Sequence, residues 1–267
     1  MRALDRPSSL LESRRLLTFV LLAAVGWSLF SVSWGTGIIH TGGGSSAAQI
    51  LKGLFTLDLS PSFLRLALRS SWTTVSYALA GITLAVAIGL PLGVLASGVL
   101  SSAHWSRLSA IGSVRLLLAF LRSIHELVWA WLLVIAIGLS PVAAVLALAI
   151  PYGGILGRVY SEILVDIPQE PLRSLRAAGA SELKVLLYGR LPMALPDMLS
   201  YTLYRFECGI RSVAIMSFVG IAGLGYQVQL SLDDLLYDQV WTLLLALIAL
   251  ITLVDVWSSA VRSRLTS

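Results

Sequence analysis

The chain alternates long apolar stretches with short polar connectors, and six of the stretches can be read as membrane spans of about 20 residues each. The first covers residues 16 to about 34, directly after Arg14 and Arg15. It is longer than the apolar core of a secretory signal, about 7–15 residues, so an uncleaved span is expected. The second covers about 72–100 and holds Gly-Leu-Pro-Leu-Gly at 89–93, which predicts a kink near one end. The third, about 108–138, exceeds what a hydrocarbon core of roughly 30 Å requires. A tilted helix, or a short helix followed by a span, would fit it. Ser140-Pro141 reads as a tight turn into the fourth span, 142 to about 164. The fifth covers about 195–219 and the sixth about 240–261.

The basic residues orient these spans. With the N-terminus inside, the inside segments 1–15, 98–115, 158–194 and 262–267 hold 13 of the 19 Lys and Arg residues. The outside segments hold 3, namely Lys52, Arg65 and Arg69, and Arg122, Arg205 and Arg211 fall within spans. Basic residues concentrate on the cytoplasmic side, so both termini are predicted there. The outside loop after the fifth span carries Asp233, Asp234 and Asp238 and no basic residue.

Composition removes the soluble alternatives. Of the 267 residues 57% are hydrophobic and 12% charged, with a mean hydropathy of +0.86. A soluble domain carries about 25% charged residues, so a soluble globule could not cover its core. Intrinsic disorder and collagen-like structure are excluded by the same apolar content. The net charge of +5 could suggest nucleic acid, but its distribution is that of loops flanking spans, and no nucleic-acid partner is expected. A single cysteine, Cys208, excludes an internal disulfide framework and a Cys-rich metal site.

Familiar catalytic motifs are missing. There is no G-x-x-x-x-G-K-[ST] to cradle phosphates, no H-E-x-x-H and no G-x-S-x-G. His40, His104 and His125 fall in different segments and suggest no metal cluster. No catalytic residue is therefore assigned. Two connectors carry more than a turn. The outside loop 35–70 opens on a Gly-rich run at 41–46, expected to be flexible. It continues in an apolar stretch, 57–68, that could be an interfacial helix leading into span two.

The inside loop 158–194 is the main cytoplasmic feature. Its core, Ile167-Pro-Gln-Glu-Pro-Leu-Arg-Ser-Leu-Arg-Ala-Ala-Gly-Ala-Ser-Glu-Leu-Lys-Val-Leu-Leu-Tyr-Gly-Arg-Leu-Pro192, predicts two short amphipathic helices. Pro171 suits a first turn, and Gly179 can end the first helix in a left-handed conformation. Ser181 would cap the second, which puts Leu183, Leu186 and Leu187 on one side, and Leu191-Pro192 would close it. Such a helical elbow suits docking into a groove on a soluble partner.

This segment resembles the EAA loop of binding-protein-dependent ABC importer permeases, E-A-A-x-x-x-G with Leu-Pro twelve and thirteen residues after the glycine. Gly179, Leu191 and Pro192 fit, with Ala177 and Ala178 before the glycine. Arg173 stands at the glutamate position, and Ser174 and Leu175 stand at the two alanines, so any contact that needs a carboxylate there is lost. Arg122-Ser-Ile-His-Glu-Leu-Val-Trp-Ala, Leu203-Tyr-Arg-Phe-Glu-Cys-Gly-Ile-Arg-Ser212 and Val219-Gly-Ile-Ala-Gly-Leu-Gly225 are similar to the phosphonate/phosphite branch of that family. His125 stands where relatives are expected to carry asparagine. The similarity covers roughly residue 72 to the C-terminus.

The resemblance implies an all-α polytopic membrane protein of six transmembrane helices, the type I ABC importer permease fold, in the bacterial inner membrane. It implies a cytoplasmic segment 1–15 and one permease domain, 16–267, whose coupling loop spans 165–194. It further implies a homodimer, two cytoplasmic ATPase subunits that bind ATP and magnesium, and an extracytoplasmic substrate-binding protein. This chain itself would need no cofactor. Its cargo would be phosphonate or a related phosphorus oxyanion, with another small solute as the rival within the class. An ion channel would not need the elbow.

Five ionisable groups lie inside the predicted spans: Arg122, Glu126, Arg205, Glu207 and Arg211. A charge near the bilayer centre costs about 2.5–3.5 kcal/mol even on translocon scales, so each should be paired or face a watery cavity. Arg122 with Glu126, and Glu207 with Arg211, are spaced to meet on one helix face. Arg115, Arg122, Glu126 and Trp129 would form one stripe, and Tyr204, Glu207, Arg211 and Phe218 another. Two readings stand: a polar path for a small oxyanion, or interhelical ion pairs that fix packing. Three arginines against two glutamates leave one cation over, which favours the path. The candidate pathway residues are Arg122, His125, Glu126, Tyr204, Arg205, Glu207 and Arg211. The candidate coupling residues are Arg173, Ala177, Ala178, Gly179, Leu191 and Pro192.

Overall fold

A computed structural model describes residues 9–32, 43–100 and 104–265, with side chains described for 14–32, 43–100 and 111–264. The predicted end of span one near residue 34, His40, and Arg2 and Arg6 lie outside the described residues. Every regular element among the described residues is helical. In order they are α1 (Ser9–Ser31), α2 (Gly43–Gly53), α3 (Pro61–Ser97), α4 (His104–Ser123), α5 (Glu126–Ile137), α6 (Pro141–Asp166), α7 (Gln169–Ala177), α8 (Glu182–Val185), α9 (Leu191–Met216), α10 (Leu224–Asp233) and α11 (Tyr237–Leu265). A π turn, Leu186–Arg190, joins α8 to α9, and a 3-10 turn, Ser217–Val219, ends α9.

Two compact units result, Met1–Gln49 and Ile50–Ser267. In the first, the apolar window Arg14–Ser31 of α1 has none of its residues buried. A helix apolar on every side and buried by no neighbour is suited to lipid. In the second, α3, α6 and α11 are each long and apolar enough to cross a membrane. Two bent pairs are long and apolar enough to count as one crossing each: α4 with α5, broken by 85°, and the continuous helix Glu182–Val219 with α10, bent by 40°. With α1, and with each bent pair counted as one crossing, the total is the six spans expected.

Helix α6 is the centre of the second unit and packs against α3, α4, α5 and α9. Lipid tails are as apolar as leucine, so close contact between small residues, rather than flight from water, holds such helices together. The glycines of α3 and α6 make that contact possible. A Cβ on Gly89 would stand 3.0 Å from the Gly153 carbonyl oxygen and 3.0 Å from the Gly157 nitrogen. One on Gly154 would stand 3.0 Å from the Leu118 carbonyl oxygen of α4. One on Gly157 would meet Leu118 Cδ2 at 2.7 Å and the Gly89 carbonyl oxygen at 3.1 Å. The Pro151-Tyr-Gly-Gly run is thus a packing face. Gly157→Leu is expected to cost about 1–3 kcal/mol by overpacking, read as a lower melting temperature and less monodisperse protein in detergent.

Several boundaries differ from expectation. The apolar stretch 57–68 is no separate interfacial helix, because α3 begins at Pro61 and runs unbroken through Pro91. At 1.5 Å per residue it is about 55 Å long, so its first turns extend past the hydrocarbon core. Proline suits the first turn of a helix, and Ser60-Pro61 starts one earlier than the hydrophobic run suggests. The Gly-rich run expected to be flexible is helical from Gly43, as the start of α2. Much of the predicted inside loop 98–115 is helical too, since α4 begins at His104.

The run at 219–225 does end the fifth span, but it also opens α10, a helix that the hydropathy pattern hides. Gly220 at φ +99° terminates the 3-10 turn in a left-handed conformation. The Leu224 amide then donates to Thr74 Oγ1 of α3 at 3.0 Å. Leu224 and Val228 join Ala67 of α3 and Val240 and Leu243 of α11 in a second apolar cluster.

Candidate functional site

The 85° break between α4 and α5 dictates the geometry of the interior charges. It falls at Ile124 and His125, between the two members of the pair predicted on one helix. The stripe of Arg115, Arg122, Glu126 and Trp129 therefore does not exist, and Arg122 and Glu126 form no ion pair among the described residues. His125 occupies the N-cap of α5, and its Nδ1 accepts from the Leu127 amide at 3.2 Å. A capping side chain satisfies amides that a helix start leaves over, so the histidine helps to define the break. Its Nε2 lies 3.8 Å from the Glu126 carboxylate.

Glu126 finds its partner on another helix. Ser212 Oγ of α9 donates to Glu126 Oε1 at 2.6 Å, and Tyr152 Oη of α6 lies 3.1 Å from the same Ser212 Oγ. These contacts tie α5, α6 and α9 together and, among the described residues, leave Arg122 without a carboxylate.

The second predicted pair is present and larger than expected. Arg211 forms an ion pair with Glu207, which is buried, and Arg262 Nη2 of α11 approaches the other carboxylate oxygen at 3.7 Å. Glu207 thus sits between two guanidiniums and joins α9 to α11. Phe218 lies in the 3-10 turn, outside the helical stripe assigned to it. Glu207→Gln should remove the carboxylate that Arg211 and Arg262 share, whereas Arg211→Gln leaves Arg262 to balance it. The first variant is expected to lower the melting temperature in detergent by on the order of 5 °C and the second by clearly less. Equal shifts would remove Arg262 from the cluster.

Arg205 is held differently. Its Nε and Nη2 donate to Tyr201 Oη at 3.0 and 2.7 Å. Its guanidinium carbon lies 5.2, 5.7 and 5.9 Å from the ring centres of Tyr201, Tyr204 and Tyr152. The π faces of three tyrosines attract the cation without neutralising it. Among the described residues neither Arg205 nor Arg122 has a carboxylate partner. Both line one open cavity of about 480 Å³, with Ser123 and Tyr201 beside them and Ala119, Ile155 and Val159 as its apolar wall. Of the predicted pathway residues, the structure brings Arg122 and Arg205 together here and places Tyr204 against Arg205. His125, Glu126, Glu207 and Arg211 do not line the cavity. Two converging cations without counter-ions can receive an anion small enough for that volume.

The sequence reading missed Tyr201, Ser123, Tyr152, Ser212 and Arg262. Tyr201 is four residues before Arg205, a spacing that places both on one helix face. Ser212 adjoins a noted arginine and carried no signal of its own. Arg262 was counted only as a loop cation. Cys208 is half-buried at the edge of the main core.

The elbow stands as predicted at its corner. Gly179 has φ +83°, and the Ala180 amide donates to the Leu175 carbonyl at 3.1 Å, which closes α7 in the manner of a left-handed helix end. Arg173, Ala177, Ala178 and Gly179 are all exposed. Arg176 Nε and Nη2 donate to the two Glu182 carboxylate oxygens at 2.8 and 3.0 Å, which braces the corner. These bonds, chiefly, hold the Glu182 carboxyl below the usual glutamate range. A depressed carboxyl contributes stability above its unfolded pKa and loses it as the pH falls through the folded value, so acidification loosens this brace.

The second half departs from expectation. Ser181 holds the N-cap position but makes no side-chain capping bond. Val185 and Leu186 are buried, while Leu183 and Leu187 are exposed. Leu191-Pro192 does not close the helix, because the π turn carries α8 straight into α9 and Pro192 falls in the first turn of α9. Arg190 is buried where they join, its Nη1 donating to the Leu164 carbonyl of α6 at 2.6 Å. A Cβ on Gly189 would meet Leu172 Cδ2 at 2.8 Å and Leu175 Cδ1 at 2.9 Å, so that glycine lets α7 seat against the π turn.

Comparison with known proteins agrees with this architecture. The chain is 35% identical over 151 residues to the phosphite transport system permease protein PtxC of Stutzerimonas stutzeri, covering 57% of this chain and 55% of that one. It is 34% identical over 148 residues to a putative phosphite transport system permease protein, HtxE, of the same organism, covering 55% and 57%. It is 27% identical over 219 residues to the phosphate-import permease protein PhnE of Mycolicibacterium smegmatis, covering 80% and 40%. The matches thus span little more than half the length of the first two relatives. Among solved structures, the inward-facing MetNI methionine ABC transporter superposes with a TM-score of 0.69 at 22% identity, over 78% of this chain and 100% of that one. An amino acid ABC transporter with histidines gives 0.64 at 17%, over 76% and 95%. The fold is the type I importer permease fold expected. Residues 89–267 match the family described as binding-protein-dependent transport system inner membrane component, and the chain belongs to that family.

Proposed function

We propose that this chain is the membrane-spanning permease subunit of an ATP-driven importer that moves phosphonate or a related phosphorus oxyanion into the cytoplasm by alternating access. The observation that carries the reading is the convergence of Arg122 and Arg205, neither with a carboxylate among the described residues, on one cavity between α4, α6 and α9. An oxyanion passing there would be met by charge-assisted hydrogen bonds. The names of the relatives, phosphite and phosphate permeases, support the same class of cargo.

The assembly proposed is two copies of this chain, two ATPase subunits that bind ATP and magnesium, and an extracytoplasmic binding protein. The exposed elbow supplies a surface for the ATPase, and hydrolysis would be conveyed through it to the helices. No step of hydrolysis is assigned to this chain, which has no phosphate cradle in its sequence.

The test is uptake by proteoliposomes that hold the chain with its ATPase and binding protein. Phosphonate or phosphite should accumulate only with ATP, and the isolated chain should hydrolyse none. Uptake without ATP, or uptake of a neutral solute in place of the oxyanions, would overturn the reading. Robust metal-dependent hydrolysis by the isolated chain would do so as well.

A further inference from the structure

We infer that Ser212 and Glu126 are positioning residues for the anion site: acting through Tyr152, they hold the Arg205 guanidinium in place, although neither lines the cavity. This role rests on the function proposed above and adds to its site two residues that serve it from outside.

Proton counting fixes the direction of the chain. A carboxylate only accepts, and a serine hydroxyl has one proton to give. Ser212 Oγ gives it to Glu126 Oε1 at 2.6 Å. The 3.1 Å contact between Tyr152 Oη and Ser212 Oγ must then be donated by the phenol. Three helices thus contribute one directed chain, from Tyr152 of α6 through Ser212 of α9 to Glu126 of α5. Tyr152 and Ser212 are both buried, and a buried phenol that loses its acceptor finds no substitute in bulk solvent.

Tyr152 is where the chain meets the site. Its ring centre lies 5.9 Å from the Arg205 guanidinium carbon. The other two rings around that cation, Tyr201 and Tyr204, belong to α9 as Arg205 does, so they fix the side chain only relative to its own helix. Tyr152 belongs to α6, which also carries Ile155 and Val159 of the cavity lining. Of the three rings, it alone ties the guanidinium to a second helix of the site. A phenol that donates toward a carboxylate gains electron density, and hydrogen bonds in series polarise one another, so its ring face attracts a cation more strongly. Glu126 therefore steadies Arg205 from a distance. Being no direct partner of the guanidinium, it does not compete with an anion for the remaining N–H groups. A guanidinium released from this hold must be ordered again by each anion it meets, which lowers affinity.

The experiment measures equilibrium binding of radiolabelled phosphite to the complex of this chain with its ATPase subunits, purified without the binding protein so that the permease alone is read. Melting temperature in detergent is recorded for every variant. Ser212→Ala should weaken phosphite binding about 3- to 10-fold and lower the melting temperature, because it strands the Glu126 carboxylate. Adding Glu126→Gln removes that stranded charge, so the double variant should recover its melting temperature and still bind weakly. Tyr152→Phe should weaken binding by the same factor as Ser212→Ala. Combining the two should weaken it no further, since they break one chain. Ser212→Thr keeps the hydroxyl and should bind as the parent does.

Parental binding by Ser212→Ala, or by its double variant with Glu126→Gln, would overturn the inference and leave these residues as packing alone, with the proposed oxyanion cargo standing. Losses that add in the Tyr152→Phe and Ser212→Ala pair would overturn it as well, because the two would then act separately. If the unaltered complex bound no phosphite and proteoliposomes took up none, the proposed function would fall together with the inference.

Discussion

Arg122→Gln is expected to give a complex that assembles as well as the parent and transports far less. A charge-assisted hydrogen bond is worth about 1.5–3 kcal/mol, so losing the one Arg122 would make to an oxyanion lowers uptake by roughly 10- to 100-fold. Stability moves the other way. A cation placed inside a span is a cost that a structural role would have to repay through partners. Arg122 has none among the described residues, so nothing is stranded when it is neutralised. The measurement pairs uptake with the melting temperature in detergent. A destabilised complex would mean that Arg122 serves packing. Arg205→Gln should abolish uptake to a similar degree but cost some stability, because it removes both the Tyr201 hydrogen bonds and the contact with three aromatic faces.

Gly179→Val should uncouple hydrolysis from transport. Gly179 sits at φ +83°, where any side chain is strained and a β-branched one most of all. The left-handed conformation costs a non-glycine residue about 1–2 kcal/mol, enough to shift the corner to another geometry in a large share of molecules. Nothing lies within 4 Å of an added Cβ, so the effect comes from the backbone alone. Gly179→Ala should be milder than Val, and Gly179→Asn milder still, since asparagine tolerates this region best. The expected signature is an intact complex whose ATPase activity no longer responds to cargo, with uptake down about 10-fold. Full coupling in the valine variant would show that the elbow angle is fixed by the Arg176–Glu182 brace instead.

How much was legible beforehand depended on whether a feature was local. The apolar stretches and the turn at Gly179 follow from spacing and backbone conformation along one segment, and the helices stand on those stretches although several of their bounds differ. The Glu207–Arg211 pair was legible for the same reason, being one helical turn apart. Arg122 and Glu126 have the same spacing and do not meet, because the chain turns through 85° between them. The excess length of the run 108–138 allowed a short helix followed by a span, but its apolar pattern does not say where the turn falls. The polar residues Arg122, Ser123, His125 and Glu126 in its middle depart from the pattern, and a capping histidine is not a strong stop signal. The partners that complete the site are non-local: Ser212 lies 86 residues from Glu126. The apolar wall on α6 was invisible because valine and isoleucine in a membrane helix face lipid, protein or cargo with equal ease. Helix α10 was missed because its polar residues, Gln227, Gln229 and Ser231, suggest a loop.

The absence of a break between α8 and α9 has a mechanical consequence. From Glu182 to Val219 the chain is one helix, stiff enough to move as a unit. Arg190 fixes it to the end of α6 through the Leu164 carbonyl, and would serve as the fulcrum of any tilt. From there the arm to Glu182 measures about 12 Å and the arm to Arg205 about 22 Å. Tilting such a beam at its short end swings the long end roughly twice as far, in the opposite sense. A push of 1–2 Å, typical of a helix shift at an interface, would thus carry the Arg205 guanidinium several ångströms relative to Arg122. That distance is comparable to the width of the anion the two would share, so a small stroke at the elbow would suffice to open the grip proposed for them.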